Sequence, residues 1–176
     1  MPEDAATSGA EHDSPDQLLT ETGASLAAAV VAAVPGWVQR AVDGVLDAWT
    51  AVGGVLQPEA GDTDAVRQRA AEAGEAAQRA LSDDLRLLLA ADVDAQWTTP
   101  LSMVRALVEF PTEVLVQAGV SPRVRDRFDE KRFPADPYGL TPASLSALGP
   151  EVGDLALAWG AAKAAAHRAR HGSAGE

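Results

Sequence analysis

The sequence predicts an all-α protein, a single-domain helical bundle of about six to seven helices, two of them short. Three observations carry this. Apolar residues recur in steps of three and four along most of the chain, the spacing that lines one face of a helix. Ser-Pro, Thr-Pro and Gly-Pro pairs stand where such stripes begin, and Pro suits the first helical position because its missing N–H has no intrahelical partner there. No stretch alternates β-branched and polar residues between tight-turn pairs, as strands would. Alanine richness adds to the same reading, since Ala is the best helix former.

The elements follow in order. Residues 1–13 (MPEDAATSGAEHD) carry no large apolar side chain beyond Met1 and are expected to be a disordered acidic tail. Ser14-Pro15-Asp16-Gln17 has the form of a capping box: Ser14 at N-cap, Pro15 at N1, and Gln17 placed to reach back to the Ser14 amide. The helix it opens is expected to run to Val34 and break at Pro35-Gly36. A second helix, 37–56, carries Val38, Val42, Val45, Trp49, Val52 and Leu56 on one face. A third starts after Asp62 or Thr63, with Val66, Ala70, Ala73, Ala77, Leu81, Leu85 and Leu88 along its apolar face, and can restart at Ser82-Asp83-Asp84. Thr99-Pro100 opens the next. Pro111 is expected to kink it, because the stripe resumes at Val114, Leu115 and Ala118, and Gly119 is the expected terminator. Ser121-Pro122 is read as opening a short helix to Lys131, with Val124 and Phe128 packing inward. Residues 133–140 read as irregular. Thr141-Pro142 is read as opening a second short helix to Leu148. Gly149-Pro150 opens the last helix, lined by Val152, Leu155, Trp159, Ala162 and Ala166, which ends near Arg170 before a frayed tail at 172–176. The helical domain is therefore 14–171.

Charge and composition exclude several function classes. The net charge is −12, from 26 acidic and 14 basic residues. A nucleic-acid binder needs a basic face to displace counterions, so no nucleic-acid partner is expected. There are no cysteines, hence no disulfide, thiolate metal site or Cys nucleophile. The first residues lack the basic stretch of a secretory leader. The longest apolar stretch, 26–38, is interrupted by Pro35-Gly36 and is shorter than the roughly 20 residues of a membrane span. A cytoplasmic location without a membrane span is expected.

No catalytic constellation emerges. Neither a nucleophile elbow nor a dinucleotide or phosphate loop is present, and no cofactor is expected. His167 and His171 share a helix face, but Arg168 and Arg170 oppose a divalent cation, so no metal site is expected; the basic turn complements the helix dipole. Asp83-Asp84 and Asp92-Val93-Asp94 lie at expected helix ends, where Asp commonly caps. The densest charge cluster is 123–132 (RVRDRFDEKR). Arg123, Arg127, Lys131 and Arg132, with Tyr138 in the neighbouring loop, are the candidate residues for binding an anion or a partner, because guanidinium forks match carboxylates and phosphates. The interleaved Asp126, Asp129 and Glu130 can instead neutralise the cluster internally.

The segments Trp97-Thr98-Thr99-Pro100-Leu101, Phe110-Pro111-Thr112-Glu113-Val114-Leu115, Leu140-Thr141-Pro142-Ala143-Ser144 and Ala158-Trp159-Gly160-Ala161-Ala162-Lys163 resemble a family of small helical proteins from actinobacteria with no known activity. The resemblance covers roughly residues 95–170. It implies a helical fold and no catalytic residues. The residues thus predict a non-enzymatic helical protein acting through protein–protein contact, self-association included. The alternative is a small-molecule binder or enzyme taking an anionic ligand at 123–132 and 133–140. A coat on an apolar inclusion, drawn from the Ala/Val-rich stretch 24–56, is a third reading.

Overall fold

Helix starts are set by local hydrogen bonds, and those marked at Ser14, Asp62 and Thr99 are made. The computed structural model describes residues 14–90 and 99–172. The two tails, Trp97 and the Asp92/Asp94 pair lie outside the described residues. Among the described residues the chain is helical, without strands, in a single-domain all-α fold. The helices are α1 (Pro15–Ala51), α2 (Thr63–Ala90), α3 (Pro100–Ala106), α4 (Glu109–Gln117), α5 (Arg127–Arg132) and α6 (Pro150–His171). Ser14 Oγ accepts from the Gln17 amide at 3.2 Å. The Gln17 side chain does not return to Ser14; it donates to Glu21 Oε1 at 3.0 Å, so half of the capping box forms. Asp62 Oδ1 caps α2 at the Ala65 amide, and Thr99 Oγ1 caps α3 at the Ser102 amide.

The expected break at Pro35-Gly36 is absent: α1 runs 37 residues through Pro35. Proline deprives the carbonyl four residues earlier of its donor. Here that carbonyl is Val31, and Gln78 Nε2 of α2 reaches across to donate to it at 3.0 Å. Gly74 sits directly against Pro35: a Cβ there would come within 2.9 Å of the proline backbone. Thus α2 supplies both the missing donor and the close approach. The helix ends at Ala51, five residues short of the expected 56. α2 in turn continues through Ser82-Asp83-Asp84 without a restart.

Pro111 has more effect than expected, dividing the predicted kinked helix into α3 and α4. Without a Pro111 amide, Leu107 O accepts from Phe110 at 3.1 Å instead. Leu107 and Val108 bond back three residues to Val104 and Arg105, so the turn tightens. α4 ends as expected on Gly119, at φ +75°. Val120 N donates to Leu115 O and Gly119 N to Val116 O, the Schellman pair.

The two expected short helices shrink. Residues 121–126 are not helical; α5 begins only after Asp126, whose carboxylate accepts from Phe128 N and Asp129 N, both at 2.8 Å. That side chain captures the amides that open the helix, so the start lies at Asp126 and not at Ser121. The stretch 142–148 holds one 3₁₀ turn, Leu145–Ala147.

α1 is the axis of the molecule. Its contacts with α2 descend in antiparallel register: Val31 with Gln78, Asp43 and Asp47 with Arg67. α6 also runs antiparallel to α1, from Arg40 Nη2 on Leu148 O at 3.0 Å to Arg170 on Asp16 at 2.9 Å. Two cores result. One joins Leu26, Val30, Val34 and Val38 of α1 to Leu81 and Leu85 of α2, Val104 of α3 and Val152 of α6. The other joins Val42 and Leu46 to Val66, Val114, Leu115 and the ring of Tyr138. Trp159 is half-buried against the first core, and its indole Nε1 is enclosed beside Gly23.

Candidate functional site

The irregular segment 133–140 is ordered by a residue that the sequence reading passed over. Asp136 is only 2% exposed. Its Oδ1 accepts from Leu140 N at 2.8 Å, and its Oδ2 accepts from Thr141 N and Thr141 Oγ1, both at 2.7 Å. Burial acts to raise its carboxyl, but these bonds, with one from the Gly139 amide, outweigh it and hold the group below its ordinary range. The clue was Asp136-Pro137-Tyr138-Gly139, an Asp ahead of Pro and Gly, which marks a side-chain-capped turn. Gly139, at φ +73°, completes it.

Tyr138 points inward. Its hydroxyl donates to Val120 O at 2.7 Å, and burial pushes the phenol above its usual range. The structure therefore does not offer that hydroxyl to a ligand beside the arginines; the residue ties the loop to the end of α4. Arg125, part of the 123–132 charge cluster but not of the candidate binding set, donates to Phe133 O at 2.8 Å. It belongs to a group that bolts irregular backbone to the helices. Arg40 donates to Leu148 O, Arg69 to Ala60 O, and Arg105 to Pro142 O and Ala143 O.

Arg123 lies over Gly139: a Cβ there would be 3.2 Å from its Nη1. Arg123 and Arg125 share a cavity of about 150 Å³ with Asp129, Phe133 and Asp136. Two carboxylates in so small a space oppose a second anion. Arg127, Lys131 and Arg132 stand outside it, exposed on α5, with Arg132 over the Phe133 ring at 5.1 Å. The five candidate residues are thus not brought to one point.

What the segment presents instead is apolar surface. Val124 and Phe128 were expected to pack inward; Val124 is 96% exposed and Phe128 67%. The expectation assumed helical spacing from 121, and residues 121–126 are not helical. The start of the same segment, Ser121 to Arg123, borders a groove of about 400 Å³. Val45, Ala48, Trp49 and Val52 of α1 and its C-cap form one wall; Val120, Pro122 and the Tyr138 ring form the other. Val52 at its rim is 78% exposed. Grooves of this kind, with bare apolar residues at their edge, mark interaction surfaces more often than isolated exposed side chains do.

Elsewhere the chemistry is sparse. The His167 and His171 rings lie 4.7 Å apart on the exposed end of α6. Among the described residues no three His, Asp or Glu side chains converge as metal ligands would. α1, continuous through Pro35, is long and apolar enough to cross a membrane by length and composition, which the interrupted helix expected from sequence was not. No protein-family model, curated protein or solved structure matches the chain.

Proposed function

We propose that this is a non-enzymatic, cytoplasmic helical protein that works by docking another protein surface on its 120–132 segment and the adjoining groove. The observation that carries the reading is the exposure of Val124 and Phe128 among Arg123, Arg127, Lys131 and Arg132. Leaving large apolar side chains in water forgoes about 1.5–3 kcal/mol for each one that could be buried. A docked partner recovers it. The same side chains sit among cations on a protein of net charge −12, so a complementary surface carries apolar residues flanked by acids. Leu26, Val30, Val34 and Val38 of α1 pack with residues of α2, α3 and α6 in the first core, and we read α1 as a core helix on that packing. Binding of an anionic ligand has weaker support, because the Arg123/Arg125 cavity is small and shares Asp129 and Asp136.

Site-specific photocrosslinking in the producing cell tests this. A photoreactive side chain at position 124 is expected to give a discrete protein adduct. The same group at Leu157, 75% exposed on α6, is expected to give none. Equal labelling from both positions, or no adduct at 124, would overturn the reading.

A further inference from the structure

We propose that the cleft between the N-terminal part of α1 and the C-terminal ends of α2 and α6 binds an aliphatic carboxylate, its chain on an apolar floor and its head group on Arg86. The cleft lies toward the other end of α1 from the groove. Ala27, the last α1 residue of the cleft, and Gly44, the first of the groove, stand about 25 Å apart along the helix at roughly 1.5 Å per residue. The site is therefore independent of the docking surface. Its volume is about 490 Å³, within the roughly 300–1,000 Å³ of small-ligand sites. Small residues open it: α1 presents Gly23, Ala24 and Ala27 to Leu89 and Ala90 at the end of α2, and these short side chains leave the gap unfilled. Gly23, Ala27 and Leu89 are buried, and the latter two belong to the first core, so the floor of the cleft continues that core.

The charges at the cleft select the head group. Its lining holds two arginines, Arg86 and Arg170, and one aspartate, Asp16, a cationic balance in a chain whose acids outnumber its bases 26 to 14. Asp16 is already answered: Arg170 Nη2 donates to its Oδ1 at 2.9 Å, a pair that ties α6 to α1. Arg86 is the cation that remains. It pairs with Asp83 at 3.5 Å, and with both side chains largely exposed (75% and 86%) that pair is weak and readily exchanged. A guanidinium takes a carboxylate on two parallel N–H donors, which a lone exposed aspartate at that distance does not use. Beside the charged residues the described lining offers only Leu, Ala, Gly and Thr, with no aromatic ring to stack on a planar ligand. That surface suits a flexible aliphatic chain.

Calorimetric titration of the full chain with sodium decanoate is the test, with decylammonium and acetate as comparison ligands. Decanoate is expected to saturate one site per chain. Decylammonium, the same chain with the opposite charge, is expected to bind at least about tenfold more weakly, and acetate, a head group without a chain, not measurably. Arg86→Gln is expected to weaken decanoate about tenfold, through loss of the charge-assisted pair. Ala24→Phe, at an exposed position of the lining, fills the cleft and is expected to abolish binding. Should it lower the thermal midpoint, Thr20→Trp, exposed one turn earlier on the same wall, replaces it. Absence of saturable decanoate binding overturns the inference, as does equal affinity for decylammonium or acetate. So does an affinity that Arg86→Gln or the cleft-filling variant leaves unchanged. None of these outcomes bears on the position-124 crosslink, so the site and the docking function stand or fall separately.

Discussion

Asp136 shows how one side chain can fix a loop that sequence patterns describe only as irregular. Its carboxylate closes the chain from Asp136 to Thr141, its amide donates to Phe133 O, and Tyr138 within that turn reaches Val120 O. Asn in its place keeps the shape but offers one acceptor oxygen and turns an NH₂ group toward donors. Asp136→Asn is expected to cost about 2–3 kcal/mol in chemical denaturation, the range for losing hydrogen bonds to a charged group. The pH dependence follows from the direction of the shift. A carboxyl held below its ordinary value of 3.8 stabilises the fold above that value, and the contribution is lost as pH falls through the lower folded value. The variant is therefore expected to lose less stability than the wild type between pH 5 and the acid transition. A variant that matches the wild type in both midpoint and acid sensitivity would deny Asp136 this role. At this scale the sequence was legible where a cap acts within four residues, as at Ser14, Thr99 and Gly119. It was not legible at Val124 and Phe128, whose four-residue spacing has meaning only inside a helix.

Among the elements, α1 was misread for a reason that lies in α2. A proline ends a helix when the carbonyl behind it has nowhere to turn. Gln78 and Gly74, about 40 residues later in the chain, supply what Pro35 lacks, and no local window contains both halves of the arrangement. The pairing can be measured by a double-mutant cycle. Gln78→Leu in the wild type leaves Val31 O without its donor and is expected to cost about 1–2 kcal/mol. In a Pro35→Ala chain the restored amide serves Val31, so the same change is expected to cost less than about 0.5 kcal/mol. The difference, about 1 kcal/mol of coupling, is the signature of a shared hydrogen bond. Equal costs in both backgrounds would mean that Gln78 stabilises the helix pair only by packing.

For the whole molecule, fold class was readable because the amphipathic stripes of α1, α2, α4 and α6 are long, and a stripe must be covered. Which stripe covers which was not readable. The cationic residues were harder still. In an acidic chain a run of arginines looks like a binding site, yet Arg40, Arg69, Arg105 and Arg125 donate to backbone carbonyls of loops. The guanidinium is a fork of donors on a long stem, suited to seating irregular carbonyls that no helix can satisfy. Only after these are set aside does the remainder of 123–132 stand out, and there the apolar exposure carries the argument more than the charge.

The antiparallel packing of α6 on the first half of α1 also sets an order of events during synthesis. α2 follows α1 closely and can close on it early as a local hairpin. α6 joins contacts separated by 108 and 154 residues, from Arg40 to Leu148 and from Asp16 to Arg170. At roughly 5–20 residues per second, several seconds pass between the emergence of α1 and the arrival of the helix that seals it. Through that interval the side of α1 that α6 will cover has no permanent neighbour. A chain stopped after Gly149 holds that state indefinitely. It is expected to retain helical circular dichroism but to bind a hydrophobic dye and aggregate on release, and a soluble, dye-silent truncation would show that α1 and α2 need no third helix. α6 is thus the helix whose arrival ends the exposure of this side of α1 to its neighbours on the ribosome.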